Sequence, residues 1–278
     1  MVIGLGRNKE SRANTDKYYC CDMSSPDVEK VFKSEKIDAV VHLAADMRRE
    51  PYTVDVIMHN CVGTERILKL CVQYGINIFT ELSSLPVIGS PAEHPVTEDH
   101  PLRPYSVYHI TKVMEEMLAE YTSDTFGIRT SSFRISAPVG TGMNPRTIFS
   151  VFVENAVNDR PLVLMGKGGR KQTYIHVLDI AKALYLAVNN DNARGVYNLS
   201  SHNFLSNREL AERIVEVTHS QSRIVYSDTE DPEEDKVWDV SLERIRNDLG
   251  FEPEVSIDTA IAEMAWFLKK QSSNPEGC

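Results

Sequence analysis

Residues 76–112 read INIFTELSSLPVIGSPAEHPVTEDHPLRPYSVYHITK. The run Ile76 to Thr80 is apolar and β-rich, which predicts a strand. Ser83 and Ser84 close that segment, and a loop rich in Pro, Gly and His extends from Leu85 to about Pro104. A loop of this length in a compact domain is usually functional. Residues 105 to 121 (YSVYHITKVMEEMLAEY) then form an amphipathic helix. Strand, loop and helix in this order make one half of a βαβ unit.

The same alternation runs outward in both directions. Val2 to Leu5 and Tyr18 to Cys21 read as strands, and Ser25-Pro26 opens a helix as N-cap and first-turn proline. Ile37 to Leu43 (IDAVVHL) is a central-strand candidate. A helix spans about Val54 to Tyr74, with Gly75 as its C-terminal cap. Ile128 to Ile135 is the strand after the second quoted helix. Beyond about residue 140 the pattern is less regular, with helices near 177–189, 206–219 and 257–270. The expected class is α/β with a parallel sheet. Residues 1–140 are expected to form a nucleotide-binding domain, and residues 141–278 a smaller substrate lobe interleaved with the sheet.

Tyr108 and Lys112 lie four residues apart on the helix and so share a face. A free tyrosine titrates near 10, and a neighbouring ammonium favours its phenolate. Lowering that pKa by about three units takes roughly 4 kcal/mol of differential stabilisation. A tyrosine so tuned would exchange a proton with a substrate hydroxyl or carbonyl at neutral pH. Ser84 sits where open α/β sheets present ligands, at the carboxyl end of a strand, and would hold the substrate oxygen. The plain alternative for both serines is that they end the strand.

Composition narrows the partners. The chain has 278 residues, 42% of them hydrophobic, which allows a sizeable core. A net charge of −10 disfavours nucleic acid, which needs clustered Lys and Arg. There is no run of 18 apolar residues and no signal-peptide pattern. Five cysteines without a CxxC pair read as a reduced cytoplasmic protein. His42, His94, His100, His109 and His176 make neither a metal nor a triad pattern, so no metal is expected. His42 reads as a hydrogen-bonded core histidine, while His94 and His100 lie in the loop before Tyr108, within reach of a substrate. Met114 and Met117 read as packing residues, and the acidic run Thr229–Asp235 as a solvated loop.

The ordered segments IDAVVHLAA, FTELSSLPVIGS, YSVYHITK and RISAPVGTG resemble the extended short-chain dehydrogenases/reductases, the NAD(P)-dependent epimerase/dehydratase family. GKGGRKQTYIHVLDIAKAL, GVYNLSS and DVSLERIRNDLGFEP follow in the family's order, so the resemblance covers nearly the whole chain. It implies a Rossmann-like doubly wound sheet with a small C-terminal substrate lobe. The implied activity is epimerisation, dehydration or reduction of a sugar-nucleotide or related sugar-like substrate by hydride transfer. Tyr108 matches the catalytic tyrosine, Lys112 the lysine that holds the nicotinamide ribose, and Ser84 the third catalytic position. The resemblance also implies cofactor contacts at Asp22 and Met23, at Leu43, Ala44 and Ala45, at Ser83 and at Pro138. Gln172 falls where members often carry a substrate-gripping arginine. Asn60 matches the family's N-x-x-G-T helix, where a structural role is expected. A homodimer is a further implication.

Two features depart from the family. The opening glycine-rich turn, which lets the backbone approach a pyrophosphate, is not in this sequence, so the first β-α unit is expected to be missing. This motivates an alternative reading, a non-catalytic binding or regulatory protein of the same fold. Arg7 also stands where NAD-selective members have an acid after the second strand, and an arginine there suits a 2′-phosphate, favouring NADP over NAD.

Overall fold

The computed structural model describes residues 1–11, 13–48 and 54–273. In chain order the elements are β1 (Ile3–Gly6), β2 (Lys17–Cys20), α1 (Glu29–Ser34), β3 (Val40–His42), α2 (Val54–Ile57), α3 (Gly63–Tyr74), β4 (Ile78–Ser84), α4 (Val107–Phe126), β5 (Arg129–Ile135), β6 (Ala137–Val139), α5 (Ile148–Val157), β7 (Leu162–Leu164), β8 (Lys171–His176), α6 (Val177–Asn189), β9 (Gly195–Leu199), β10 (Phe204–Ser206), α7 (Asn207–Thr218), β11 (Ile224–Tyr226), α8 (Glu243–Leu249) and α9 (Ile257–Ser273). A π-helical turn, Met58–Val62, joins α2 to α3.

The chain folds into two compact units. One holds residues 1–89, 101–134 and 184–197, and the other residues 90–100, 135–183 and 198–278. The single boundary expected at residue 140 therefore does not separate them. The chain returns to the first unit after residue 183, and no Pro/Gly-rich linker marks the crossing.

In the first unit β3, β4, β5 and β9 lie side by side in that order, with β3 and β4 parallel. A separate parallel pair, β1 and β2, completes the unit, and no hydrogen bond joins the two sheets among the described residues. β5 is buried along almost its whole length, as expected for a strand covered on both faces. Val28, Phe32, Leu68, Cys71, Phe79 and Ile128 gather α1, α3 and the strands into one core. α4 starts where Ser106 accepts the His109 N–H, and ends at Gly127 in the left-handed region. Gly75 ends α3 in the same way, at φ 69°.

In the second unit α5, α7 and α9 share a core of Phe149, Phe152, Leu210, Ile214, Ile261 and Met264. A reciprocal pair of bonds between Ser206 and Glu209 caps α7. The acidic run is not the solvated loop expected from its composition. Asp231 is buried and takes three bonds from the Arg170 guanidinium, and Glu233 takes a fourth. Glu234 accepts the N–H groups of Lys167 and Gly169 at 3.0 and 2.6 Å. Charge alone did not reveal that these carboxylates have fixed partners 60 or more residues earlier in the chain.

Gly63 sets the spacing of the π-helical turn against the strand ends. A Cβ there would lie 2.8 Å from both Cγ and Cε of Met23. Gly63→Ala is therefore expected to destabilise the protein by about 1–3 kcal/mol, the usual cost of overpacking. Urea unfolding should show most of that loss disappearing in a Met23→Ala background, because the two side chains compete for one space.

Candidate active site

α4 carries Tyr108, Lys112 and Glu115 at positions i, i+4 and i+7, along one face of the helix. The face is turned inward: Lys112 and Glu115 are buried, and Tyr108 is half-buried. The Lys112 ammonium donates to Glu115 Oε2 at 2.9 Å. His42 on β3 and Glu81 on β4 are register partners, and both belong to the same buried cluster. Ser132 on the next strand donates to Glu81 Oε1 at 2.7 Å. His42 Nε2 lies 3.0 Å from Thr64 Oγ1 on α3 and 3.8 Å from Glu115 Oε2.

This polar layer leaves two oxygens without a hydrogen-bond partner, Glu81 Oε2 and Glu115 Oε1. Donor atoms of His42, Glu81 and Glu115 lie within 4.8 Å of one another. These residue types bind metals elsewhere. Here the cation beside them is the Lys112 ammonium.

The electrostatics follow from burial. Burial pushes the Glu81 carboxyl up to about 8, helped by Glu115 and opposed by Lys112 and the Ser132 bond. Burial likewise pushes Glu115 up to about 7, against the pull of Lys112. His42 is pushed down to about 3, by burial first and then by the Lys112 charge, so its ring is neutral. Lys112 resists its own desolvation, because Glu115, Tyr108 and Glu81 hold its pKa above the ordinary lysine value. Tyr108 departs from the sequence expectation. Burial and Glu115 together outweigh Lys112, and its pKa lies above that of a free tyrosine. Lys112 does act on it in the expected direction, while its hydrogen bond goes to Glu115.

Asn60, inside the π-helical turn, ties this helix to the loop after β3. Its side chain accepts the Asp46 N–H at 2.7 Å and donates to the Asp46 carbonyl at 3.1 Å and to Thr111 Oγ1 at 2.9 Å. Thr111 donates in turn to the Tyr108 carbonyl at 2.7 Å. Leu43, Ala44 and Ala45 directly precede this anchor, the first two exposed and Ala45 half-buried. Beyond them the Asp46 carboxylate is held well below the usual range, chiefly by Arg48 and also by His59.

The other expected residues fall at strand ends. Arg7 directly follows β1 and is exposed, and Asp22 lies two residues beyond β2. Burial works against Asp22's charge, but the Ser24 hydroxyl and N–H, His59 and Arg7 hold its pKa below the usual value. The Met23 side chain is buried against Gly63. Ser83 is buried and donates to Glu116, which also takes the Arg134 guanidinium at 2.8 Å. Ser84, the last residue of β4, is half-buried. Gly89, at φ 76°, follows it, and a Cβ there would meet the Arg103 carbonyl at 2.5 Å. In the second unit, Pro138 is exposed on β6, and Gln172 on β8 donates to the Tyr174 hydroxyl at 2.6 Å.

A model of the NAD dependent epimerase/dehydratase family matches residues 1–200. The chain belongs to that family. Among its relatives, a dTDP-glucose 4,6-dehydratase of Streptomyces griseus is 28% identical over 239 residues, spanning 84% of this chain and 73% of that protein. A putative UDP-glucose 4-epimerase of Methanocaldococcus jannaschii is 24% identical, over 95% of this chain and 88% of the relative. The fold matches the crystal structure of a UDP-glucose 4-epimerase of Thermotoga maritima with a TM-score of 0.87, at 21% identity, covering 97% and 91% of the two chains. The Rossmann-like α/β class is thereby established for this epimerase/dehydratase family member. Among its described residues no helix is long and apolar enough to cross a membrane.

Sequence reading missed Glu81 and Glu115. Both left a signal: an acid inside the apolar strand segment IFTEL, and an acid one helical turn beyond Lys112. Their raised carboxyls make stability depend on pH. In the unfolded chain they titrate near 4.3, so between there and about 8 the folded family member binds more protons than the unfolded one. This contribution is complete at acid pH and is lost as pH rises, at about 1.4 kcal/mol per pH unit for each proton. Glu81→Gln should flatten the decline between pH 5 and 8, and the variant should be more stable than wild type at pH 8. Denaturant melts across that range would show parallel curves if Glu81 were ionised throughout.

Proposed function

We propose that this chain is an NAD(P)-dependent enzyme that oxidises and reduces a carbon of a nucleotide-sugar, in an epimerisation, dehydration or reduction. The observation that carries this is the placement of Tyr108 above Lys112 on one inward face of α4, beside a strand that ends in Ser84. Bound NAD(P) supplies a hydride acceptor and donor at its nicotinamide C4. Ser84 orients the substrate oxygen and Tyr108 Oη exchanges a proton with it. Lys112 supplies positive charge beneath the phenol and holds the ribose.

The residues fit the two ends of such a dinucleotide. Tyr108, Lys112 and Ser84 suit the nicotinamide side. Asp22 suits the adenosine, and the exposed Arg7 suits a 2′-phosphate, which favours NADP. The raised Tyr108 pKa means that the phenol keeps its proton until further positive charge arrives. A cationic nicotinamide ring is such a charge. The relatives' substrates make dTDP- and UDP-glucose the first candidates. Gln172 would face the substrate, while Arg170, bound by Asp231 and Glu233, is already neutralised.

Fluorescence titration with NADPH and NADH, followed by assays with dTDP- and UDP-glucose, tests this reading. Binding should favour NADPH, and Tyr108→Phe should lower turnover by about 10²–10⁴-fold while sparing nucleotide binding. A folded chain that binds neither dinucleotide would instead be a binding or regulatory member of the family.

Ile110, Met114, Met117 and Tyr121 form an exposed stripe on α4, with Met114 45% and Met117 63% exposed. The methionines are thus not packed within the chain, contrary to the sequence reading. We take the stripe as a homodimer contact. Sedimentation should give a two-chain mass that Met117→Glu shifts toward one chain; an unchanged mass would remove the stripe from the interface.

A further inference from the structure

The catalytic lysine is not alone beneath Tyr108. A single ammonium faces two buried carboxyls, and each carboxyl has one oxygen with no partner. Unpaired oxygens in a buried layer are costly. One proton would remove one of the two negative charges and turn an unpaired acceptor into a donor. Held on Glu81 Oε2, it makes that oxygen a donor, and Glu115 Oε1 is the unpaired acceptor in the same cluster. Glu81 Oε1 remains the acceptor of the Ser132 hydroxyl, and Glu115 Oε2 the acceptor of Lys112. The layer then contains one carboxylate, one ammonium and one neutral acid.

We propose that Glu115, backed by a protonated Glu81, is the positioning residue for Lys112. It fixes the ammonium beneath Tyr108 and, through its negative charge, holds back the ionisation of the phenol. The functional meaning of this role rests on Tyr108 being the proton carrier, whereas its physical basis does not.

The surrounding groups are consistent with this assignment. From β3 comes His42, and from α3 Thr64, which bonds it. From β4 comes Glu81, and from β5 Ser132. The π-helical turn contributes Cys61, a thiol that burial pushes up to about 11. On α4, Glu116 is already matched by Arg134. Among the described residues Lys112 is thus the ammonium of the layer, and Glu115 its direct partner.

The test uses the cofactor-free protein, so it is independent of turnover. Phenolate absorbance is titrated in wild type and in Glu115→Gln, each with a Tyr108→Phe partner to isolate the Tyr108 signal. Removing the Glu115 charge takes away the direct partner of Lys112, and Tyr108 should ionise about one pH unit lower, the size of effect one nearby charge produces. An unchanged Tyr108 titration in folded Glu115→Gln would overturn the assignment. If that variant fails to fold, infrared spectra of wild type and Glu81→Gln decide the matter. A protonated-carboxyl band present at neutral pH and lost in Glu81→Gln supports the proposal; a wild-type spectrum without that band refutes it. If Tyr108 shifts as expected yet no sugar-nucleotide is turned over, the electrostatic assignment stands and the enzymatic reading fails separately.

Discussion

Lys112 brings one positive charge into a layer shielded from water, and three groups compete for it. Glu115 takes the direct hydrogen bond, Glu81 shares the field, and Tyr108 receives the remainder. In a medium of low polarity such competition is strong, because no solvent screens the loser. The charge that Lys112 can lend to a phenolate is therefore set by what Glu115 withdraws. A spacing of four residues establishes that tyrosine and lysine share a face. It does not establish the sign of the net shift, which burial of the phenol sets first and to which Glu115, one turn further along, adds.

The same layer explains why β3, β4 and α4 fit together as they do. His42, Glu81 and Ser132 form a polar row across three adjacent strands, and each needs a partner supplied from the neighbouring strand or from the helices. Asn60 adds a second tie at the level of Tyr108, joining Asp46 to Thr111. Its three hydrogen bonds use the amide's acceptor and both kinds of contact open to its donor. An aspartate could not make the two donations. Asn60 thus holds the helix and the loop after β3 in register.

Much of the first unit was legible because its signals are local. Gly75 ends α3, and the apolar runs at β4 and β5 mark buried strands. Strand boundaries moved by a few residues, as at β3, where only Val40–His42 of the expected Ile37 to Leu43 pairs. Motif order singled out Tyr108, Lys112 and Ser84, and the first two share one inward face of α4. What was not legible depends on contacts distant in sequence. Glu81 looks like an anomaly in a strand until Glu115 and Ser132 are placed around it, 34 and 51 residues away. Asp231 looks like part of a solvated acidic run until Arg170 is seen to bind it. The short strands β6, β7, β10 and β11 were not read at all, because three-residue strands carry too little periodicity.

The acidic segment bears on substrate recognition through subtraction. Arg170 is the guanidinium closest in sequence to Gln172, yet Asp231 and Glu233 occupy both of its edges. Glu234 meanwhile fills the two N–H groups of the glycine turn at Lys167 and Gly169. The Arg170 guanidinium and the Lys167 and Gly169 N–H groups, donors that would suit a diphosphate, are thus satisfied by carboxylates of the chain itself. Gln172 is half-buried and its amide nitrogen already bonds Tyr174, so it offers a neutral contact rather than a charge. At Gln172 itself a nucleotide-sugar would meet a hydrogen bond and not an ion pair. Recognition there would accordingly lose less affinity with added salt than an arginine clamp would.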